Sequence, residues 1–238
     1  MSETFLDGRV RVAQPQAGFR SGLDAVMLAA AVPARGGETG LELGAGAGTV
    51  SLCLWARVPG VSLTGVEIDA GLVALARTNA AANGADARFV AADIFALPPA
   101  LKRGFDQVFC NPPFHSGGRA SPDAARATAL TDAGALRDWL RIGLQCTASN
   151  GVFTAIIRAD RLGEALAVLP GAGISVFPLW PRAGEPAGRV IVQVRKGAGA
   201  AFRLLPGLVL HRQDGRWTPE ADAVLRGGQP LALQGGRL

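Results

Sequence analysis

Between Gly40 and Lys196, short apolar runs alternate with segments of helical pattern, and this alternation leaves few architectures open to the chain. The apolar runs are LELG, VSLTGVEID, ARFVAAD, FDQVFC and GVFTAIIR; TVSLCLWARV, GLVALARTNAAANG and a long helical stretch lie between them. Repeated strand-helix units predict an α/β fold, a mostly parallel sheet with helices on both faces. In the helix expected from about Ala70, Leu72, Val73, Leu75 and Ala76 form the apolar face, and Gly84 supplies a left-handed stop. Arg77, Asn79 and Asn83 fall on the face expected to meet water. Ser121 reads as the N-cap of the long stretch, with Pro122 and Asp123 in its first turn and Gly134 as a point where two helices can meet.

After Lys196 the pattern changes. FRLLPGLVLHRQDGRW reads as two short extended segments with turns at Pro206-Gly207 and Asp214-Gly215, and a final helix is expected from Thr218-Pro219 to Gly227. The Gly/Ala-rich residues 183–201 read as strands and turns, not a hinge. A single domain is expected over 1–238, made of an N-terminal segment (1–38), a core (39–196) and a basic extension (197–238).

With 49% hydrophobic and 18% charged residues, the 238-residue chain can bury a sizeable core, which excludes a disordered polymer. No window approaches the roughly 18 uncharged apolar residues of a membrane span, and MSETFLDGRVRV lacks the basic-then-apolar order of a signal peptide; a cytoplasmic protein with no membrane partner is expected. Cys53, Cys110 and Cys146 are widely spaced in apolar surroundings and read as reduced core residues, with no metal site. Residues 1–181 carry 15 basic and 15 acidic groups, whereas 182–238 carry 9 and 4, so the whole net charge of +5 sits in the last quarter. That asymmetry suits a polyanionic partner, because cations on phosphates release counterions. A solvated, arginine-rich surface is the alternative.

LELGAGAGTVSL places Gly44, Ala45, Gly46 and Gly48 between a strand and a helix, where the chain must turn sharply and a ligand can approach the backbone. A dinucleotide fingerprint needs its third glycine at position 49, which is Thr49. Glu67, followed by Ile68, closes the next strand where a carboxylate can accept two ribose hydroxyls. The strand after it ends at Asp93 and Ile94, placed to accept an adenine amino group and to pack on its ring. Each acid can also be an ordinary helix cap.

This pattern resembles the Rossmann-like, class I S-adenosylmethionine-dependent methyltransferases: Glu42-x-Gly44-x-Gly46-x-Gly48 matches their first motif, Glu67 their ribose acid and Asp93 their adenine contact. The resemblance implies a seven-stranded sheet whose last strand, RVIVQVRK, is antiparallel. It also implies S-adenosylmethionine as cofactor and a place for Glu42 near its methionine moiety.

The fourth strand ends in Asn111-Pro112-Pro113-Phe114. An exocyclic amine is a poor nucleophile because its lone pair is delocalised, and accepting hydrogen bonds from both its N–H groups orients it for methyl transfer. The Asn111 side-chain oxygen and the Pro112 carbonyl can be those acceptors, the prolines stiffen both, and Phe114 can stack on the target at about 1–3 kcal/mol. His115 and His211 receive no role.

Asn-Pro-Pro-aromatic occurs in enzymes that methylate adenine, the 2-amino group of ribosomal guanine, or the glutamine amide of release factors. RVRVAQPQAGFRSGLDAVMLAAAVP, CNPPF with SPDAARA, RADRL and LPGLVLHRQDGRWTPEADAVLRGG resemble the bacterial tRNA (adenine-N6) methyltransferases that act beside the anticodon of a valine tRNA. The resemblance covers most of the chain, implies that the N-terminal segment (1–38) covers the cofactor, and adds Phe19, Arg20 and Asp24 as candidates near it. It departs at Phe114, where many adenine enzymes carry tyrosine; Phe114-His115 is typical of the ribosomal guanine enzymes, which usually have an additional domain. The expectation is an RNA methyltransferase, monomer or homodimer, acting on adenine in tRNA. The alternatives are ribosomal guanine, then a protein glutamine amide, then a catalytically inactive RNA-binding module.

Overall fold

The computed structural model describes residues 2–15, 20–113 and 133–233. Phe19, Phe114, His115 to Arg119 and the helix start at Ser121 lie outside these residues. A hairpin comes first, β1 (Ser2–Phe5) and β2 (Val10–Ala13), then α1 (Leu23–Ala31). The alternating core follows: β3 (Thr39–Leu43), α2 (Thr49–Arg57), β4 (Ser62–Glu67), α3 (Ala70–Asn83), β5 (Ala87–Ala91), β6 (Phe105–Cys110), α4 (Ala133–Cys146) and β7 (Thr147–Arg158). After a short α5 (Leu162–Leu166) come β8 (Ile174–Trp180), β9 (Arg189–Arg195), β10 (Arg203–Leu204), β11 (Leu208–Val209) and α6 (Pro219–Leu225).

The sheet runs β10-β8-β9-β7-β6-β3-β4-β5, with β11 also on β8. β9 is antiparallel to β7 and to β8, and the other pairings in this sheet are parallel. The expected antiparallel RVIVQVRK strand is therefore present, and among the described residues the sheet has nine strands instead of seven because β10 and β11 extend its edge with two residues each. Side chains alternate between faces as strand geometry requires. Phe109 and Ile191 join the apolar cluster under α1, α2 and α3, while Val108, Cys110, Val190 and Val192 join the cluster under α4.

Helix boundaries follow local chemistry. Asp69 caps α3 through the Gly71 and Leu72 amides, and Gly84 ends it at φ 64°. Thr218 caps α6, accepting from the Ala221 amide at 3.1 Å. Among the described residues, no helix is long and apolar enough to cross a membrane.

The outer face of α3 is where the sequence reading fails. Instead of meeting water, Asn79 and Asn83 pair with the open edge of β2. Asn83 accepts from the Arg11 amide at 2.9 Å and donates to the Arg11 carbonyl at 2.7 Å. Asn79 does the same with Ala13, at 2.8 and 3.0 Å. A carboxamide carries one acceptor and one donor group, the complement of an extended residue's amide and carbonyl, so the two side chains stand in for a third strand. Arg77 is exposed as expected, and its Nη2 donates to the Phe89 carbonyl at 2.7 Å.

At the opposite edge, β8 is covered in two pieces. β10 pairs with Ser175 and Val176, and β11 with Leu179 and Trp180. Between them the chain passes Pro178 at Gly207, where φ is 81° and a Cβ would lie 2.3 Å from the Pro178 carbonyl oxygen.

Candidate active site

Parallel registry sets the site. Leu43 is level with Val66 and with Cys110, and Glu67 with Ala91. The next residues, Gly44, Asn111 and the turn to Asp93, therefore emerge with Glu67 along one carboxyl edge, where open α/β sheets bind ligands.

The glycine turn is held by short bonds. The Ala45 amide donates to the Val66 carbonyl at 2.9 Å, the Gly48 amide to the Ala45 carbonyl at 2.8 Å, and the Gly46 amide to Glu67 Oε2 at 2.9 Å. The glycines are not equivalent. A Cβ at Gly44 would lie 2.5 Å from the Trp139 ring, and one at Gly48 would lie 2.8 Å from Phe89, so these two permit close packing; a Cβ at Gly46 would enter open space.

Glu67 ties the turn to the start of α3, since its Oε1 accepts the Asp69 amide at 3.0 Å. A carboxylate offers about four lone-pair sites, and the two amides leave one on each oxygen. Two vicinal hydroxyls match that remainder, so the residues present fit the ribose of S-adenosylmethionine. Beside it, Ile68 is 69% exposed, an unusual state for an isoleucine at a strand end. Asp93 Oδ1 accepts the Phe95 amide at 2.9 Å. The Ile94 side chain packs into the cluster with Val66 and Leu97, and its neighbour Phe95 is exposed.

Glu42 is buried, and its Oε2 accepts from the Ser51 amide at 3.1 Å and the Ser51 hydroxyl at 2.5 Å, joining β3 to the first turn of α2. Burial pushes its carboxyl up to about 8, against the ordinary 4.5, despite the opposing bonds from Ser51. Because the folded value is raised, the stability this group contributes is full below about pH 4.5 and is lost as pH rises toward 8. Glu42→Gln should therefore raise the thermal midpoint by several degrees at pH 9 and leave it nearly unchanged at pH 4.5. Thermal denaturation at the two pH values checks this; equal shifts would contradict it.

Asn111 continues β6 into the turn. Its Oδ1 is buried and has no hydrogen-bond partner among the described residues, a costly state for a carboxamide oxygen. Pro112 is buried and Pro113 half-buried behind it. Phe114 lies outside the described residues. Arg20 forms an ion pair with Glu3, and Asp24 pairs with Arg189 at 3.0 Å. Both are thus engaged within the N-terminal region and β9. His211 stacks on Trp217, with ring centroids 4.2 Å apart, and its Nδ1 bonds the Gly215 carbonyl, a structural arrangement. The three cysteines are free and buried, and burial raises each thiol. Among the described residues no group of three His, Cys, Asp or Glu side chains could hold a metal.

Sequence reasoning missed Asn79, whose Nδ2 also donates to the Ala47 carbonyl of the glycine turn at 2.9 Å. Its only signal was an asparagine at a helical position level with an apolar face.

Residues 21–138 match the methyltransferase small domain. The chain has the Rossmann-like methyltransferase fold. The domain is 35% identical over 127 residues to ribosomal RNA small subunit methyltransferase C of Salmonella arizonae, covering 52% of this chain and 36% of that relative. The chain thus spans about a third of the length of the curated relatives it matches. Among solved structures, one described as a predicted O-methyltransferase from Agrobacterium tumefaciens superposes with a TM-score of 0.72 at 25% identity, over 87% of this chain and 97% of the other. The Thermus thermophilus 16S rRNA N2 guanosine methyltransferase, solved with S-adenosylmethionine and guanosine, gives 0.56 at 21% identity, over 82% and 50%.

Proposed function

We propose that the methyltransferase domain methylates an exocyclic amine of an RNA base, most specifically the 6-amino group of adenine in tRNA. The observation that carries this reading is the buried Oδ1 of Asn111, unpartnered among the described residues, at the sheet edge shared with the glycine turn. A folded chain tolerates such an oxygen where a ligand completes it. When bound, S-adenosylmethionine supplies an electrophilic methyl group on a sulfonium. Glu67 and the glycine turn would hold its ribose and backbone, and Ile68 would flank its base. Asn111 Oδ1 and the Pro112 carbonyl accept the two N–H groups of the target amine, fixing its nitrogen for in-line attack. The amine becomes acidic only once methylated, so no side chain need remove a proton beforehand.

The adenine reading rests on the segments resembling the valine-tRNA enzymes. Ribosomal guanine is favoured by a different observation, the relatives named as ribosomal RNA small subunit methyltransferases, together with Phe114-His115. Incubation with radiolabelled S-adenosylmethionine and total RNA from a deletion strain, followed by nucleoside analysis, separates the two. N6-methyladenosine in tRNA is expected; N2-methylguanosine in ribosomal RNA would transfer the assignment, and label confined to protein would exclude both.

The basic extension is a candidate phosphate contact. Arg203 is occupied with Ser175 Oγ at 2.9 Å and the Leu233 carbonyl at 2.5 Å, so it braces the fold. Arg212 and Arg216 are exposed. Replacing both with glutamine should reduce the slope of log affinity against log salt by about 1.4 to 1.8. Fluorescence anisotropy with labelled tRNA across a salt series measures it, and an unchanged slope would leave these arginines as surface charge.

A further inference from the structure

We infer that Asn79 is a positioning residue for the cofactor, and that through it the N-terminal hairpin forms a working part of the cofactor site. The inference rests on the reading of the glycine turn as the S-adenosylmethionine site. The Asn79 side chain is 2% exposed and makes three hydrogen bonds, which is the hydrogen-bonding share of one carboxamide oxygen and both amide hydrogens. Two bonds clamp Ala13 of β2, and the third holds the Ala47 carbonyl. Ala47 is the residue after Gly46, whose amide is held by Glu67. The turn is thereby fixed from two directions: Glu67 sets the Gly46 amide, and Asn79 sets the next peptide carbonyl. With φ of 53° at Gly46 and 86° at Gly48, the backbone on either side of Ala47 is in left-handed conformations and needs such external restraint.

Asn83 provides an internal comparison. It lies one helical turn further along α3 and makes the same amide-and-carbonyl pairing with β2, at Arg11, but its remaining bond goes to the Asn79 carbonyl and not to the glycine turn. Loss of either asparagine removes two hairpin bonds. Only loss of Asn79 frees the turn.

The test compares Asn79→Ala with Asn83→Ala in the full chain, using S-adenosylhomocysteine as the titrant in calorimetry and thermal midpoints as the stability measure. Both variants should lose thermal stability. Asn79→Ala should weaken S-adenosylhomocysteine by about tenfold, while Asn83→Ala stays within twofold of wild type. Equal affinities for Asn79→Ala and wild type, or equal losses in both variants, would overturn the inference. Hydrogen exchange on the wild-type protein decides the matter even where Asn79→Ala does not fold. Coupling between sites is reciprocal, so saturating S-adenosylhomocysteine should slow exchange of the Ala13 amide by about tenfold and that of the Arg11 amide by less than twofold. Equal protection of the two amides, or none, would overturn it. Failure of the wild-type protein to bind S-adenosylhomocysteine would instead strike down the cofactor reading, a result distinct from binding that is indifferent to residue 79.

Discussion

Asn111→Ala should abolish measurable methyl transfer, lowering turnover by at least about a hundredfold to a thousandfold, the range seen when one preorganised hydrogen-bonding group is removed from a reacting centre. S-adenosylhomocysteine affinity should stay within a few-fold, because the ribose and the turn are held by other residues. Stability should move the other way. Asn111 Oδ1 is buried without a partner among the described residues, so its removal relieves a desolvation cost of roughly 1–3 kcal/mol and the thermal midpoint should not fall. Asn111→Asp, which keeps an acceptor oxygen at the same place, should retain more activity than the alanine variant. Single-turnover assays with saturating RNA and cofactor measure the first effect and calorimetry the others. Full turnover by Asn111→Ala would show that the target amine is held by some other group.

Glu67→Ala should have the second largest effect, and on binding instead of chemistry. Two charge-assisted hydrogen bonds to ribose, at about 1.5 kcal/mol each, amount to about two orders of magnitude in affinity. The variant also leaves the Gly46 and Asp69 amides without their acceptor, so the turn and the start of α3 loosen together. Calorimetric titration should show S-adenosylhomocysteine at least a hundredfold weaker, with Glu67→Gln between alanine and wild type. An affinity within threefold of wild type would mean that Glu67 serves only to close the turn.

The parallel core and the shared edge of the candidate residues were legible because each rests on local patterns. Apolar runs of strand length recur with helices between them, and the candidate residues follow the runs at one sheet edge: Gly44, Glu67, the turn to Asp93, Asn111. The antiparallel β9 followed from the resemblance, not from periodicity, since the alternation of side chains along a strand is the same in either direction. What escaped the sequence was polar side chains doing the work of backbone. Asn79 and Asn83 pair with β2, and a polar residue on a helix reads as solvated unless the chain that covers it is known. That chain, β2, is four residues long and precedes α3 by nearly sixty positions, so no local window contains both partners. Ile68 and Ile94 show a related limit: adjacent-strand position predicted the edge, but not which isoleucine turns out and which turns in.

The outer edge of β8 has a consequence for how this protein behaves in concentrated solution. An uncovered edge strand offers a row of free amides and carbonyls on which a second chain can extend the sheet. Here two dipeptides occupy that row, and Pro178, which has no amide hydrogen, stands in the gap between them with its carbonyl crowded by the backbone of Gly207. A neighbouring molecule meets no uninterrupted ladder at β8, so open-ended strand addition is blocked at this border of the sheet by the chain's own last quarter.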